Sequence, residues 1–181
     1  NDEIAGLEWL PIDKARKRLT YPHDIDIVDE FVRRYEAGRA RTFAVIVARH
    51  GKAVAPGSWD GPDATRPLLH RGMDQAAGIA RGLAAFAPHR IVASTAARCL
   101  ATVEPLAQLT GLTVKATDAI SQDAWEDGLA MVPAIVAKRL RKRETVVLCS
   151  HGPVIPRIVE EVAIATCTEP DAALRDAASL A

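Results

Sequence analysis

The chain has 181 residues, 49% of them apolar and 25% charged, and its 23 basic and 23 acidic side chains give a formal net charge of zero. That size and balance fit one medium globular domain, or one domain with a fragment of another. Neutrality removes any global electrostatic case for a nucleic-acid polymer or an anionic membrane as partner, and leaves room only for local basic pockets. No apolar run reaches bilayer length, and the first residues, "NDEIAGLEW", lack the regions of a signal peptide. Cys99, Cys149 and Cys167 have no paired spacing. A reduced cytoplasmic protein is therefore expected, not a disulfide scaffold or a zinc site.

In chain order, residues 1–38 read as a unit apart. Ile4 to Leu10 is strand-like, Pro11 and Asp13 open the helical "DKARKRL", and "DIDIVDEFVRRYEAG" is an amphipathic helix stopped by Gly38. From Thr42 the pattern alternates. Strand-length apolar runs ("FAVIVA", "RIVAS", "TVKATDA", "TVVLCS") are separated by helix-like segments: "MDQAAGIARGLAAF", "AARCLATVEPLAQLTG" and "LAMVPAIVAKRLRKR". A further helix, "PVIPRIVEEVAIA", follows the last run. Pro105 and Pro133 blur two of these boundaries. β-branched runs between helices predict buried parallel strands in an α/β fold, a three-layer sandwich with a mainly parallel sheet flanked by helices.

In open α/β sheets ligands bind beyond the carboxyl ends of the strands. The first strand runs into Arg49-His50-Gly51, the second into Thr95 and Arg98, and the fourth into His151-Gly152-Pro153. Parallel strands bring two His and two Arg to one sheet edge. Two guanidiniums hold a phosphoryl group through forked hydrogen bonds. A neutral imidazole attacks phosphorus, and further fixed positive charge stabilises the transferring group. Gly51 and Gly152 allow close approach of the backbone to a ligand.

"VARHGKA", "STAARCLATVEPLA" and "LCSHGPVI" resemble the histidine phosphatase superfamily, the phosphoglycerate mutase-like fold. "TRPLLHRGMDQAAGIARGL", with Arg66-Pro67, Gly72 and Gln75, matches that family's segment between the first strand and first helix. The resemblance covers residues 42–163, and its short spacing is like the compact phosphohistidine phosphatase branch. It implies His50 as nucleophile, with Arg49, Arg98 and His151 completing the phosphate pocket together with Gly51 and Gly152. Lys52 lies either on a second phosphate or in solvent. "EIAGLEWLPIDKARKRLTYPHDIDIVDEF" resembles the last strand and closing helix of a Nudix domain, and the Nudix box is absent from the chain. That implies domains at 1–38 and 39–181, in the manner of actinobacterial MutT-like fusions. It also implies a nucleotide or other phosphorylated substrate, 8-oxo-guanine nucleotides among them. No cofactor or metal is expected in this chain, with Mg2+ belonging only to a Nudix domain, which would be the chain's partner.

Two departures stand out. Family members place a carboxylate after the third strand as proton donor. Here that position is Gln122, with Asp123 adjacent and Glu126 near, and the sequence does not decide between them. A missing acid suits a leaving group that needs little protonation, such as a phosphoanhydride or phosphohistidine, or else a non-catalytic nucleotide-binding or interdomain module. The strand expected after the last helix is not evident in "DAALRDAASLA". His23 reads as a turn residue, His70 as a loop residue with the pocket mouth as its alternative, and His89 as a structural or solvated residue before a strand, none with metal-site spacing. Trp59 and Trp125 either stack on a base or pack their loops. Ser94 and Ser150 read as backbone-bonding residues, and Cys149 as core.

Overall fold

A computed structural model of the chain describes residues 6–166. It divides into two compact units between Thr42 and Phe43. The first holds α1 (Ile12–Arg18) and α2 (Pro22–Glu36). α2 starts two residues before the predicted Asp24 because Pro22, with its fixed φ and no N–H to lose, suits a first helical turn. The strand expected from Ile4 to Leu10 is absent over residues 6–10. No strand among the described residues pairs with it, and Leu7 and Trp9 are exposed. Alternation alone does not make a strand without a partner.

The second unit runs β1 (Val45–Arg49), α3 (His70–Ala85), β2 (Arg90–Ser94), α4 (Ala97–Thr110), β3 (Val114–Thr117), α5 (Gln122–Glu126), α6 (Val132–Lys142), β4 (Val146–Ser150) and α7 (Ile155–Ala165). The strands are parallel, in the order β1-β4-β2-β3. β4 is central and buried throughout. Its Val147 and Cys149 face one layer with Ile91, Val103 and Leu106, while Val146 and Leu148 face the other with Ile120, Val136 and Ile158. Burial on both faces is why this strand reads as an unbroken apolar run. β1 was expected to be buried, yet it is only half-buried, because within the sheet of the described residues it is an edge.

Pro133 does not interrupt α6. It falls in the first turn, so the helix begins at Val132 rather than Leu129. Pro105 lies inside α4 without ending it, and α4 closes on Gly111 at φ +70°. The short α5 escapes a periodicity search. It is marked instead by Ser121, whose hydroxyl accepts the Ala124 N–H at 3.1 Å as a cap. The C-terminal stretch "DAALRDAASLA" and Cys167 lie outside the described residues.

Candidate functional site

β1 and β4 end side by side, with Arg49 in register with Ser150, and the His50 N–H donates to the Ser150 carbonyl at 3.1 Å. The residues just past the two strands, His50 and His151, therefore meet, with ring centroids 5.3 Å apart and planes at 62°. The His151 carbonyl accepts from the Val154 and Ile155 N–H groups, both at 3.0 Å, so it opens α7 and is fixed at its backbone as well as its ring. β2, on the other side of β4, leads into α4, whose first turn carries Arg98.

His50 is oriented by its own loop. Its Nδ1 lies 2.8 Å from the Gly51 carbonyl, an acceptor, so Nδ1 carries the proton and Nε2 keeps the lone pair. Burial penalises the charged ring and lowers its pKa to about 4. The Gly51 hydrogen bond opposes this, and His151, Arg98 and Arg49 reinforce it. The imidazole is thus uncharged at neutral pH.

The loop beyond His50 is tied down from two helices. Thr102 of α4 accepts the Gly51 N–H at 2.9 Å, and Gln75 of α3 accepts the Lys52 N–H at 2.8 Å. The Lys52 carbonyl accepts the Leu69 N–H at 2.8 Å. Here the chain and the start of α3 cross closely: a Cβ on Gly72 would lie 2.1 Å from the Lys52 oxygen, and one on Gly51 would lie 2.6 Å from the Gly72 oxygen. Gly51 is therefore required by this crossing before any ligand is considered. A Cβ on Gly152 would only touch the Arg49 guanidinium at 3.6 Å, an ordinary contact.

His151 and Arg98 are fully buried. Arg98 Nη2 lies 3.2 Å from His151 Nδ1, and a guanidinium only donates, so Nδ1 accepts and the ring proton sits on Nε2. Nε2–H then donates to Ser94 Oγ at 2.8 Å, and the Cys99 sulfur lies 3.5 Å from the same nitrogen. Ser94 thus bonds both the Ala96 N–H and the imidazole, more than the backbone role expected of it. Ser150 donates to the Ile120 carbonyl and Cys149 is core, both as expected.

A cleft of about 750 Å³ opens over His50. Arg49, Lys52, Gln75, Thr102, Gln122 and Gly152 line it, with Val54, Pro56, Leu69 and Ile79 as an apolar wall. Among the described residues no carboxylate lines it. Asp123 and Glu126 stand off the cleft. Glu126 accepts the Gln122 amide N–H at 2.8 Å, and the Gln122 oxygen lies 3.4 Å from Arg98 Nη2. Trp59 and Trp125 do not line the cleft, and the Trp59 indole N–H donates to Thr65 Oγ1 at 3.0 Å within its own loop. His70 pairs with Asp74 at 3.1 Å, exposed at the start of α3.

Sequence reasoning missed Asp63. Its Oδ2 lies 2.8 Å from Arg98 Nη2, its carbonyl accepts from Arg98 Nη1 at 2.7 Å, and its Oδ1 lies 2.6 Å from Arg66 Nε. Burial raises the Asp63 carboxyl, but hydrogen bonds and charge from Arg66 and Arg98 outweigh it and leave the group below its ordinary value. The local signal was available in the Asp-x-x-Arg spacing of Asp63 and Arg66.

This arrangement sets an uncharged imidazole at a strand end, beside a second imidazole and two guanidiniums. The family model "Histidine phosphatase superfamily (branch 1)" matches residues 45–128. An 8-oxo-(d)GTP phosphatase of Mycolicibacterium smegmatis is 32% identical over 160 residues, which are 88% of this chain and 48% of that protein. The chain thus spans about half the length of that curated relative. The protein histidine phosphatase SixA complexed with tungstate shares the fold, with a TM-score of 0.52 and 22% identity over 64% of this chain and 73% of its own. An Agrobacterium tumefaciens structure, provisionally named phosphohistidine phosphatase SixA, has 27% identity and a TM-score of 0.52 over 67% of this chain and 77% of its own. The unit that carries residues 45–128 belongs by that match to the histidine phosphatase superfamily and is of the phosphatase type.

Proposed function

We propose that the chain hydrolyses phosphoanhydrides of nucleosides, di- or polyphosphates with 8-oxo-guanine forms among them, through a phosphohistidine on His50. The observation that carries this reading is the His50 ring: Nδ1–H is committed to Gly51, and the uncharged ring lines a cleft that no carboxylate of the described residues lines. The Nε2 lone pair attacks the terminal phosphorus, and the bridging P–O bond breaks. The nucleotide leaves with that electron pair as a phosphate oxyanion, which needs no strong acid to depart. Water then attacks phosphorus, the P–N bond breaks, Nε2 recovers its lone pair and the water's proton leaves with phosphate or solvent. Arg49 and Arg98 are the cations placed to balance the charge that gathers on the transferring oxygens, and His151, bonded to Arg98 and Ser94, holds Arg98 in place. The 8-oxo-(d)GTP phosphatase relative supports the nucleotide substrate.

A second reading, a protein phosphohistidine phosphatase, is favoured by the 27% identity to the Agrobacterium structure and demands equally little of an acid. A Nudix domain, carrying its own Mg2+, is proposed as the partner of the first unit. The test is phosphate release from nucleoside di- and triphosphates, their 8-oxo-guanine forms and a phosphohistidine peptide, with His50→Ala beside the parent. Turnover of the anhydrides, its loss in the variant and an acid-labile phosphoryl group trapped on His50 are expected. Nucleotide binding without release by either protein would leave a binding module instead.

A further inference from the structure

Arg98 is the largest fully buried side chain of the molecule's described part, and its charge is not met by a carboxylate of its own helix. The partner comes from a loop 35 positions earlier. A guanidinium offers two forks: the end fork of Nη1 and Nη2, and the side fork of Nε and Nη2. In Arg98 the end fork is taken by Asp63, Nη1 on its carbonyl and Nη2 on its carboxylate. The side fork is different. Nη2 also faces His151 Nδ1 and Gln122 Oε1, and the Nε–H is buried with no hydrogen-bond partner. A buried orphan donor is costly and calls for a partner. Through Nη2 the side fork adjoins His151, whose ring meets that of His50.

We infer that Asp63 is a positioning residue of the phosphate site: by saturating the end fork of Arg98 it leaves the Nε–H as the donor for a phosphoryl oxygen held at His50. This rests on the phosphatase reading and adds a residue to it. Asp63 does not act as the proton donor, since its carboxylate is already shared between two guanidiniums. The same carboxylate also links the phosphate site to the cleft wall. Arg66, its second partner, donates to the Val54 carbonyl, and Val54 lines the cleft. One anion thus fixes the arginine that meets phosphate and the wall that meets the leaving group.

The experiment compares the 181-residue parent with Asp63→Asn and Asp63→Glu. It measures orthovanadate affinity by calorimetry, kcat and KM on the best substrate of the panel above, and far-UV circular dichroism. Asparagine keeps the shape but cannot accept from both guanidiniums. Vanadate binding and kcat should each weaken about tenfold or more, with KM within about twofold, the scale of one lost charge-assisted hydrogen bond. Glutamate keeps the charge one methylene out of place and should lie between the other two. A folded Asp63→Asn that binds vanadate as the parent does overturns the proposal. So does one that binds it more tightly, since the carboxylate would then be a competitor of the anion. Should asparagine prevent folding, Asp63→Glu decides: about threefold weaker vanadate binding supports positioning, and parental affinity overturns it. A parent that binds vanadate but releases no phosphate sinks the phosphatase reading while the Asp63 comparison is still read. A parent that binds no vanadate overturns both.

Discussion

At His50 the protonation chemistry has a definite sign. Burial lowers its pKa to about 4, so the folded protein holds the ring uncharged down to that pH. The proposed attack needs the lone pair, so kcat/KM should stay level with respect to His50 from about pH 7 to pH 5 and fall as pH drops through about 4. An acid limb near the ordinary imidazole value of about 6.5 would show the ring to be less desolvated than its geometry indicates. Gln122 permits the complementary experiment. Its amide N–H donates to Glu126 at 2.8 Å, so Gln122→Glu would place two carboxyls in contact at the cleft. Like charges that close raise one of the two pKa values, although Arg98 at 3.4 Å pulls the other way. A raised carboxyl is a proton donor. The variant should gain about tenfold or more on an alkyl phosphate ester and little on an anhydride, read as kcat for the two substrates side by side. Equal effects on both would mean that leaving-group protonation does not limit this site.

The elements explain which of these residues a sequence reveals. His50, His151 and Arg98 are legible because each follows an apolar strand, where a polar residue has no packing reason to appear. Parallel pairing of β1, β4 and β2 then brings them together. Asp63 is legible only in its local pairing with Arg66, for the opposite reason. It opens a three-residue 3-10 turn between β1 and α3, where acids are ordinary, and its meaning comes from Arg98 on another element. The half-buried state of β1 was hidden as well, because an edge strand and a central strand differ in partners, not in composition. The crossing of α3 over the loop after β1 gives a test at this scale. Gly72→Ala would drive a Cβ to 2.1 Å from a backbone oxygen that cannot swing aside as a side chain can. The Lys52–Leu69 hydrogen bond and the Lys52–Gln75 bond would both be strained. A loss of about 1–3 kcal/mol is expected from overpacking, or roughly 2–12 °C in thermal midpoint for a chain of this length. Gly78, with open space around its Cα, is the control, and Gly78→Ala inside α3 should be neutral or stabilising. A Gly72→Ala protein as stable as the parent would mean that the crossing opens at no cost.

For the whole molecule, the formal net charge of zero gives no net long-range pull on anions, so the proposed reaction would rely on local cations such as Arg49 and Lys52, which line the cleft. The two units also differ in what they can do alone. Both buried apolar clusters, the described strands and every residue lining the cleft lie from Val45 onward. α1 and α2 bury none of their residues, and Ile27, Phe31 and Tyr35 of α2 are exposed. Stability that resides in one cooperative unit survives removal of segments outside it. A chain beginning at Phe43 should therefore fold, with a thermal midpoint within about 4 °C of the parent, equivalent to roughly 1 kcal/mol. It should also keep vanadate affinity within about twofold, a change of less than 1 kcal/mol. The peptide 1–42 should show little helix by itself, because two short helices without a buried face do not outweigh the entropy of ordering them. Calorimetry on the shortened chain and circular dichroism on the peptide decide the matter. A shortened chain that aggregates, or that binds vanadate about tenfold more weakly, would mean that the second unit depends on residues 1–42 for its stability or its site.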